Sequence, residues 1–593
     1  MAEREATPPP FKILSVFPRV WNLMTKRERQ KSGILFLGTV VSSFVEILGL
    51  AAVVPVIGLV IEPELVRTNE YVSKAFAWSS IIGVDTEEQF LMLTSVLLVG
   101  AFLFKAAFNL GLNLFQIRFA LGIGHRISGL MWQYHFAQSL ERMRSQQSGR
   151  VLSEINDWPG YLANFFIVGS MRLINEFVVI GLIGLGLLAY EPFVLISVMT
   201  LLAIGAIIIR KATKNRLDAY SEFEKELGPQ AQTTINNAIR GFLEVITFRA
   251  SEVVLKSYLS KKLVLIRVAS NSQIMNMAPA KLYEVLAVTA VSASIFISLL
   301  LGNSNEQFLN LLILMALSAY RVMPSMTRIN VQFMTMRKTK YMLNVIESAL
   351  ADLDDVQAQP CPSRIQLDKP QIRITNATIG YESLEKPILS GFSAEFSPGS
   401  INAIVGPSGS GKSTLVNTIL GLHSLDSGEI QSGDGATNWH HIGSDLSVSN
   451  WLEHIGYLSQ QPYLFNGSVR DNLTMMIPGE TLDEPAIEQL CERLGLMDCL
   501  GENPLDFELQ EGGNNLSGGQ QQRLAILRAL RVHRPVLILD EATSALDGAK
   551  RDAVFELLRE RARTGTNVLL ITHDMELAEQ CDTILDLGSM KAD

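Results

Sequence analysis

The chain has 593 residues, roughly three to four times a typical single domain, so more than one domain is expected. Charged residues make up 18% and hydrophobic ones 48%, which excludes a disordered chain and argues against an ordinary soluble enzyme of this length. The net charge of -9 is unevenly split: residues 1–350 carry 33 Lys and Arg against 24 Asp and Glu, a net of +9, and residues 351–593 carry 17 against 35, a net of -18. The basic part suits anionic lipid headgroups, and the acidic part argues against nucleic acid as a partner.

In chain order, residues 1–31 hold seven Lys or Arg and the run Pro8-Pro9-Pro10, with no cleavage site after a short apolar core, so no removable signal peptide is expected. Ile34–Ile61 is 28 residues long with Glu46 its only charge, and Phe90–Phe115 is 26 residues long with Lys105 its only charge. Both exceed the ~20 residues that cross a bilayer. Further apolar stretches run over Tyr161–Tyr190 (interrupted by Arg172 and Glu176), Phe193–Ile209, Val285–Gly302 and Phe308–Met323 (interrupted by Arg321), giving six predicted spans. Glu62–Gln89 has two basic and six acidic residues, and Glu191-Pro192 and 303–307 have no basic residue, whereas Arg210–Lys281 is rich in Lys and Arg. Basic connections stay on the cytoplasmic side, so both termini are predicted to be cytoplasmic. The longer connections leave room for helices projecting into the cytosol. Span length disfavours the alternative of buried helices in a soluble all-α protein.

Composition turns acidic and polar near Ser348–Pro362, which sets the predicted domains at 1–350 and 351–593. The strand-like run Ile401–Val405 leads into Gly406-Pro407-Ser408-Gly409-Ser410-Gly411-Lys412-Ser413-Thr414, followed by a helical pattern to Leu422. This spacing is that of a phosphate-binding loop: glycines let backbone N–H groups approach phosphate, the helix N-terminus favours negative charge, Lys412 reaches the outer phosphates and Ser413 can ligate Mg2+. A chance glycine-rich turn is the alternative, and the strand and helix on either side weigh against it. Val536–Leu539 reads as a buried parallel strand ending in Asp540 and Glu541. Asp540 suits Mg2+ and Glu541 suits polarisation of an attacking water, against the alternative of an acidic helix cap. Cys361, Cys491, Cys499 and Cys581 lack metal-ligand spacing and are expected to be reduced, buried thiols.

Between these motifs lies Leu516-Ser517-Gly518-Gly519-Gln520, and with it the chain resembles the ATP-binding cassette family. The resemblance implies an α-helical six-span transmembrane domain followed by an α/β P-loop NTPase domain, with ATP and Mg2+ as cofactors. It also implies a homodimer, in which the 516–520 signature of one subunit caps ATP held by the other. Tyr381 is implied to stack on adenine, Gln460 to sense Mg2+, Glu511 to form an exporter-type acidic element, Ser544-Ala545-Leu546-Asp547 to form an inter-subunit loop, and His573 to contact the γ-phosphate. Gly149–Asp157 and Ala238–Glu252 occupy the places of two cytosolic coupling elements. One departure is Ser432–Asn450, which lacks the arginine usual before the Gln460 strand and leaves that loop open.

The membrane half is similar to bacterial flippases of lipid-linked oligosaccharides in protein glycosylation. That likeness rests on Glu46–Leu50 and Pro55, on Ala319–Ser325, and on Tyr71–Trp78 as a short amphipathic outer helix. It implies an inner-membrane translocase for an amphipathic, lipid-linked anionic substrate. Arg321, Arg172, Lys105 and Glu46 are the candidate substrate contacts, Arg321 foremost for a phosphate. Arg172 can instead snorkel to an interface, Glu46 and Lys105 can pair with each other, and the outer helix can be packing only. Multidrug, lipid or peptide export remains open, and an ATP-gated channel or regulator is disfavoured because Glu541 is retained.

Overall fold

The computed structural model describes residues 16–588 except 62–64, 69, 191, 302–304, 339, 359–363, 382–385, 436–437, 477–479 and 544–545. Two compact units emerge, residues 1–138 with 143–358 and residues 139–142 with 359–593.

The first unit is helical. Its long helices are α1 (Lys26–Ile61), α2 (Glu87–Phe136), α3 (Gly169–Tyr190), α4 (Pro192–Arg240), α5 (Ser251–Leu301) and α6 (Asn305–Lys338), followed by α7 (Lys340–Ala358). The predicted spans fall on α1 to α6, except that Gly302 lies outside the described residues and Tyr161–Val168 precedes α3. Three stretches among the described residues are long and apolar enough to cross a membrane: Lys26–Gly49, Glu87–Phe136 and Ser148–Gly186. Thr86 starts α2 with a capping box, its side chain accepting from Gln89 N–H while the Gln89 side chain accepts from the Thr86 backbone. At 50 residues α2 is ~75 Å long, far more than a ~30 Å hydrocarbon layer, so much of it stands in a polar phase. The chemistry follows this division. Ile34, Leu37, Met92, Val96, Leu97, Val99, Leu103 and Phe104 are exposed, as lipid-facing positions are, whereas Ala120, Ile123, Ile127 and Met131 of α2 form a helical stripe buried against Trp158, Leu162, Phe166, Met336 and Ile346.

Two wide helical turns, Ser153–Asp157 and Leu162–Val168, interrupt the approach to α3. Just before them Gly149 allows a close approach to α4, since a Cβ there would lie 2.6 Å from the Pro229 carbonyl oxygen. Buried Glu154 is held by His135 at 3.0 Å and Arg150 at 2.7 Å. The second expected coupling element contains a short helix, Phe242–Thr247, whose Phe242, Leu243 and Ile246 are exposed together with Phe248 beyond it.

The second unit pairs two sheets. β1 (Gln371–Ile379), β2 (Leu389–Phe396), β4 (Ser427–Gly433) and β5 (Trp439–His441) form an antiparallel sheet in the order β2-β1-β4-β5. β3 (Ile401–Val405) belongs to a parallel sheet with β6 (Ile455–Leu458), β9 (Val536–Asp540), β10 (Asn567–Ile571) and β11 (Thr583–Asp586), in the order β11-β3-β10-β9-β6. The small β7 (Gly467–Ser468) and β8 (Glu508–Leu509) pair with each other. β3, β9 and β10 are buried along their whole length, as their largely apolar sequences suit central parallel strands, and the buried Asn402 and Asn567 satisfy each other at 3.1 Å. The main helices are α8 (Lys412–Ile419), α9 (Gly518–Leu530) and α10 (Gly548–Arg563).

Apart from 436–437, which lie outside the described residues, the stretch left open before Gln460 contains a strand and a short helix. β5 extends the antiparallel sheet, Arg373 stacks 3.9 Å over the Trp439 ring, and Ser447 caps the helix Val448–Glu453. Trp451 is fully buried and donates from Nε1 to the Ile419 carbonyl at 2.7 Å. Among the cysteines only Cys491 is buried outright; Cys499 and Cys581 are half-buried, which corrects the expectation for them, and Cys361 lies outside the described residues. Burial pushes the thiols of Cys491 and Cys581 up to about 11.

Candidate nucleotide site and membrane cavity

Because the five strands run parallel, their carboxyl ends share one edge. Four motifs meet there: the 406–411 loop after β3, Asp540 and Glu541 at the end of β9, His573 shortly after β10, and Gln460 shortly after β6. The register supports the convergence, with Ile571 opposite both Ile404 and Asp540, and Leu458 opposite Leu539.

The loop needs its glycines. Gly406 has φ 150 and Gly411 φ 97, and a Cβ on Gly411 would lie 2.7 Å from Ile388 Cγ2. Lys412 folds over the loop, its Nζ donating to the carbonyls of Gly406 at 2.7 Å and Pro407 at 3.1 Å. The Ser410 hydroxyl is buried with no hydrogen-bond partner among the described residues. Thr414, one turn on, meets the Tyr381 hydroxyl at 3.3 Å, and the Tyr381 ring lies 4.7 Å from that of His423. Ser413 sits in the first turn of α8, and Pro407, Ser408 and Gly409 complete the loop.

At the opposite side of this edge, Glu541 is reached from two neighbours. Gln460 Nε2 donates to Glu541 Oε2 at 2.7 Å, and His573 Nδ1 lies 3.8 Å from Oε1. Glu541 itself has φ 51, in the left-handed region where a non-glycine residue is strained. Sequence reasoning missed Gln522, whose Nε2 donates to the Glu541 backbone carbonyl at 3.0 Å and so helps to hold that conformation. Its only signal was its place two residues beyond Gln520. Asp540 is 7% exposed, and burial first, then the Glu541 charge, raises its carboxyl above the usual range while Lys412 partly opposes this. A buried carboxylate in that condition, Ser413 in the first turn of α8 and an orphaned loop hydroxyl fit a nucleotide with Mg2+.

The signature forms the start of α9. Ser517 caps it reciprocally with Gln520, Leu516 is buried beneath, and Ser517 and Gly518 are exposed. Gly519 accepts from Arg523, which also grips the carbonyls of Leu494 and Gly495. Among the described residues no hydrogen bond joins 517–520 to the 406–414 loop. Asp547 caps α10 through Lys550 N–H and pairs with the Lys550 ammonium at 2.8 Å; Ser544 and Ala545 lie outside the described residues.

In the first unit the charged candidates are arranged otherwise than expected. Glu46 pairs with Arg321 at 2.7 Å, not with Lys105. Arg321 also lies 3.7 Å from Glu176, which Arg328 binds at 2.6 Å, so a chain of alternating charges links α1, α6 and α3. The lone charges of the first two spans suggested each other as partners, but α6 brings Arg321 to Glu46 instead. Arg321, with an 11% exposed side chain, is thus flanked by two carboxylates. Lys105 rests 5.1 Å from the Phe102 ring and alongside Gly49. Arg172 is exposed and, with Glu46, Glu176 and Arg328, lines a cavity of about 430 Å³.

The ABC transporter family pattern matches residues 389–544. An ATP-dependent lipid A-core flippase of Vibrio cholerae is 40% identical over 217 residues, 36% of each chain. Flippases of the same name from Salmonella paratyphi A and Pasteurella multocida are 30% and 29% identical over 74% of each chain. The chain thus spans only about two fifths of the first relatives it matches, such as those of Vibrio vulnificus, at 41% and 40%. A bacterial Atm1-family ABC exporter solved with ATP bound superposes with a TM-score of 0.76 and 19% identity, covering 95% of this chain and 94% of that one. The shared fold is a helical amino-terminal region followed by an α/β nucleotide-binding domain.

Proposed function

We propose, from the premise that this chain belongs to the ABC transporter family, that it is a membrane-bound ATPase that moves an anionic glycolipid, such as a lipid-linked oligosaccharide, across a bilayer. The observation that carries the ATPase reading is the convergence of Lys412, Asp540, Glu541, Gln460 and His573 at one sheet edge. Lys412 and the loop N–H groups bind phosphate, and Tyr381 takes the adenine side. Ser413, Asp540 and Gln460 hold Mg2+, which when bound neutralises phosphate charge. Glu541 accepts the proton of the attacking water, and its strained backbone and its bonds from Gln460 and Gln522 fix the carboxylate's aim. His573 stabilises charge on the terminal phosphate.

The exposed signature supports a homodimer, because Ser517 and Gly518 stand exposed at the start of α9 and, among the described residues, no hydrogen bond joins them to the phosphate loop of their own chain. Asp547 would lie at that subunit boundary. The domain boundary near 350/351, cytoplasmic termini and an inner-membrane location complete the reading. A lipid cargo is supported by relatives named for flipping lipid A-core, and by a membrane unit that carries buried charges beside a polar cavity. The test is Mg2+-dependent ATP hydrolysis by the purified protein across a panel of lipid-linked sugars, lipids, peptides and drugs. Stimulation by a polyprenyl diphosphate sugar above the rest is expected; stimulation by drugs or peptides alone would reassign the cargo.

A further inference from the structure

We propose that the cavity among α1, α2, α3 and α6 is a carbohydrate-recognition site that reads the uncharged hydroxyls of the cargo headgroup, a step beyond the transport reading on which it rests. Its volume of about 430 Å³ falls in the range of ligand pockets, ~300–1,000 Å³. More telling is how its amides are held. Ser42 Oγ donates to Asn109 Oδ1 at 2.6 Å, Ser43 Oγ to Asn175 Oδ1 at 2.8 Å, Gln116 Nε2 to Thr39 Oγ1 at 2.8 Å, and Gln332 Nε2 to the Phe165 carbonyl at 2.6 Å.

Each of these four amides is thereby fixed by one atom, and the other has no hydrogen-bond partner among the described residues. The remaining atoms are two donors, Nδ2 of Asn109 and Asn175, and two acceptors, Oε1 of Gln116 and Gln332. A sugar hydroxyl both donates and accepts, so an equal set of rigid donors and acceptors suits it; a phosphate, acceptor only, would find half of them useless. The charges agree with this assignment. Glu46 and Glu176 at the wall are neutralised by Arg321 and Arg328, so ion pairs rather than free cations surround most of the space. Arg172 is left as the cation without a carboxylate partner among the described residues, and it is the group available to a phosphate at the edge of the same site. Amides already oriented by the protein lose little freedom on binding.

The test uses the full-length protein in lipid nanodiscs carrying Asn113→Cys, a cavity-lining reporter, and reads maleimide modification of residue 113 by mass spectrometry. Two probes are compared: a polyprenyl diphosphate bearing a neutral oligosaccharide, and the same lipid without sugar. The glycolipid should slow modification about tenfold and the sugar-free lipid should not. Adding Gln116→Met or, separately, Asn109→Leu should abolish that protection, and two positions guard against one variant misfolding. Equal protection by both lipids, or protection that survives both substitutions, would overturn the proposal. Absence of protection by either lipid would overturn it as well. Lipid-stimulated ATP hydrolysis measured on the same samples then shows separately whether the transport reading stands.

Discussion

At the scale of single residues, Glu541 and Asp540 are adjacent carboxylates in different surroundings and with different proposed tasks. Glu541 is bonded by Gln460 and faces His573, whereas Asp540 is buried with its carboxyl raised. Glu541→Gln keeps the shape and removes the base, so ATP hydrolysis should fall by ~10²-fold or more while nucleotide binding persists; a Gln variant turning over within about twofold of the unsubstituted protein would remove Glu541 from this role. For Asp540 the sign of the pH effect follows from the raised value. The folded chain holds that proton more tightly than the unfolded chain, so the group's contribution to stability is full below the ordinary carboxylate range, ~4, and is lost as pH rises through the raised value. Above the ordinary carboxylate range this group therefore weighs against the metal-free fold. Asp540→Asn should raise the metal-free unfolding temperature at pH 7 and abolish Mg2+-dependent hydrolysis, and its stabilising effect should shrink toward pH 4, as differential scanning fluorimetry can check.

At the scale of elements, the Glu46–Arg321–Glu176–Arg328 chain ties three membrane helices together. Removing one partner strands a buried charge at a cost on the order of 3–5 kcal/mol, so Glu46→Ala and Arg321→Ala should each destabilise more than their combination does. Glu46→Ala and Lys105→Ala should instead add, and strong coupling between those two in a thermal-unfolding cycle would restore the Glu46–Lys105 pairing. The signature helix gives a second case. Ser517→Ala removes a cap worth ~0.5–2 kcal/mol, yet ATPase activity should drop at least tenfold, because the same hydroxyl is proposed to face nucleotide on the partner subunit. A loss of stability without a loss of activity would leave Ser517 as a cap alone. These cases also mark what the sequence could disclose. Local patterns announced themselves: an apolar run with one charge is a span, and Gly406–Thr414 is a phosphate loop whatever surrounds it. Pairings between distant elements did not, since Arg321 choosing Glu46, Gln522 reaching Glu541 and four pinned amides sharing one cavity depend on helix rotation and packing that no local spacing encodes. Trp439–His441 joined the sheet although its run of polar neighbours reads as loop, because Arg373 across the sheet covers the Trp439 ring.

For the molecule as a whole, each cassette is proposed to hold one half of two different sites, a phosphate loop and an exposed signature. Activity should accordingly require two copies, and coupling to the membrane unit should turn hydrolysis into movement of lipid. Mg2+-ATP is proposed to drive transbilayer movement of a lipid-linked sugar. The direct measurement is a flipping assay in proteoliposomes containing the purified protein and a fluorescent polyprenyl diphosphate oligosaccharide, with leaflet location read by a membrane-impermeant quencher. Movement should depend on ATP and Mg2+ and be lost in the Glu541→Gln protein; brisk ATP hydrolysis with the lipid staying in its leaflet, or movement equal in the Glu541→Gln protein, would contradict ATP-driven flipping of this lipid.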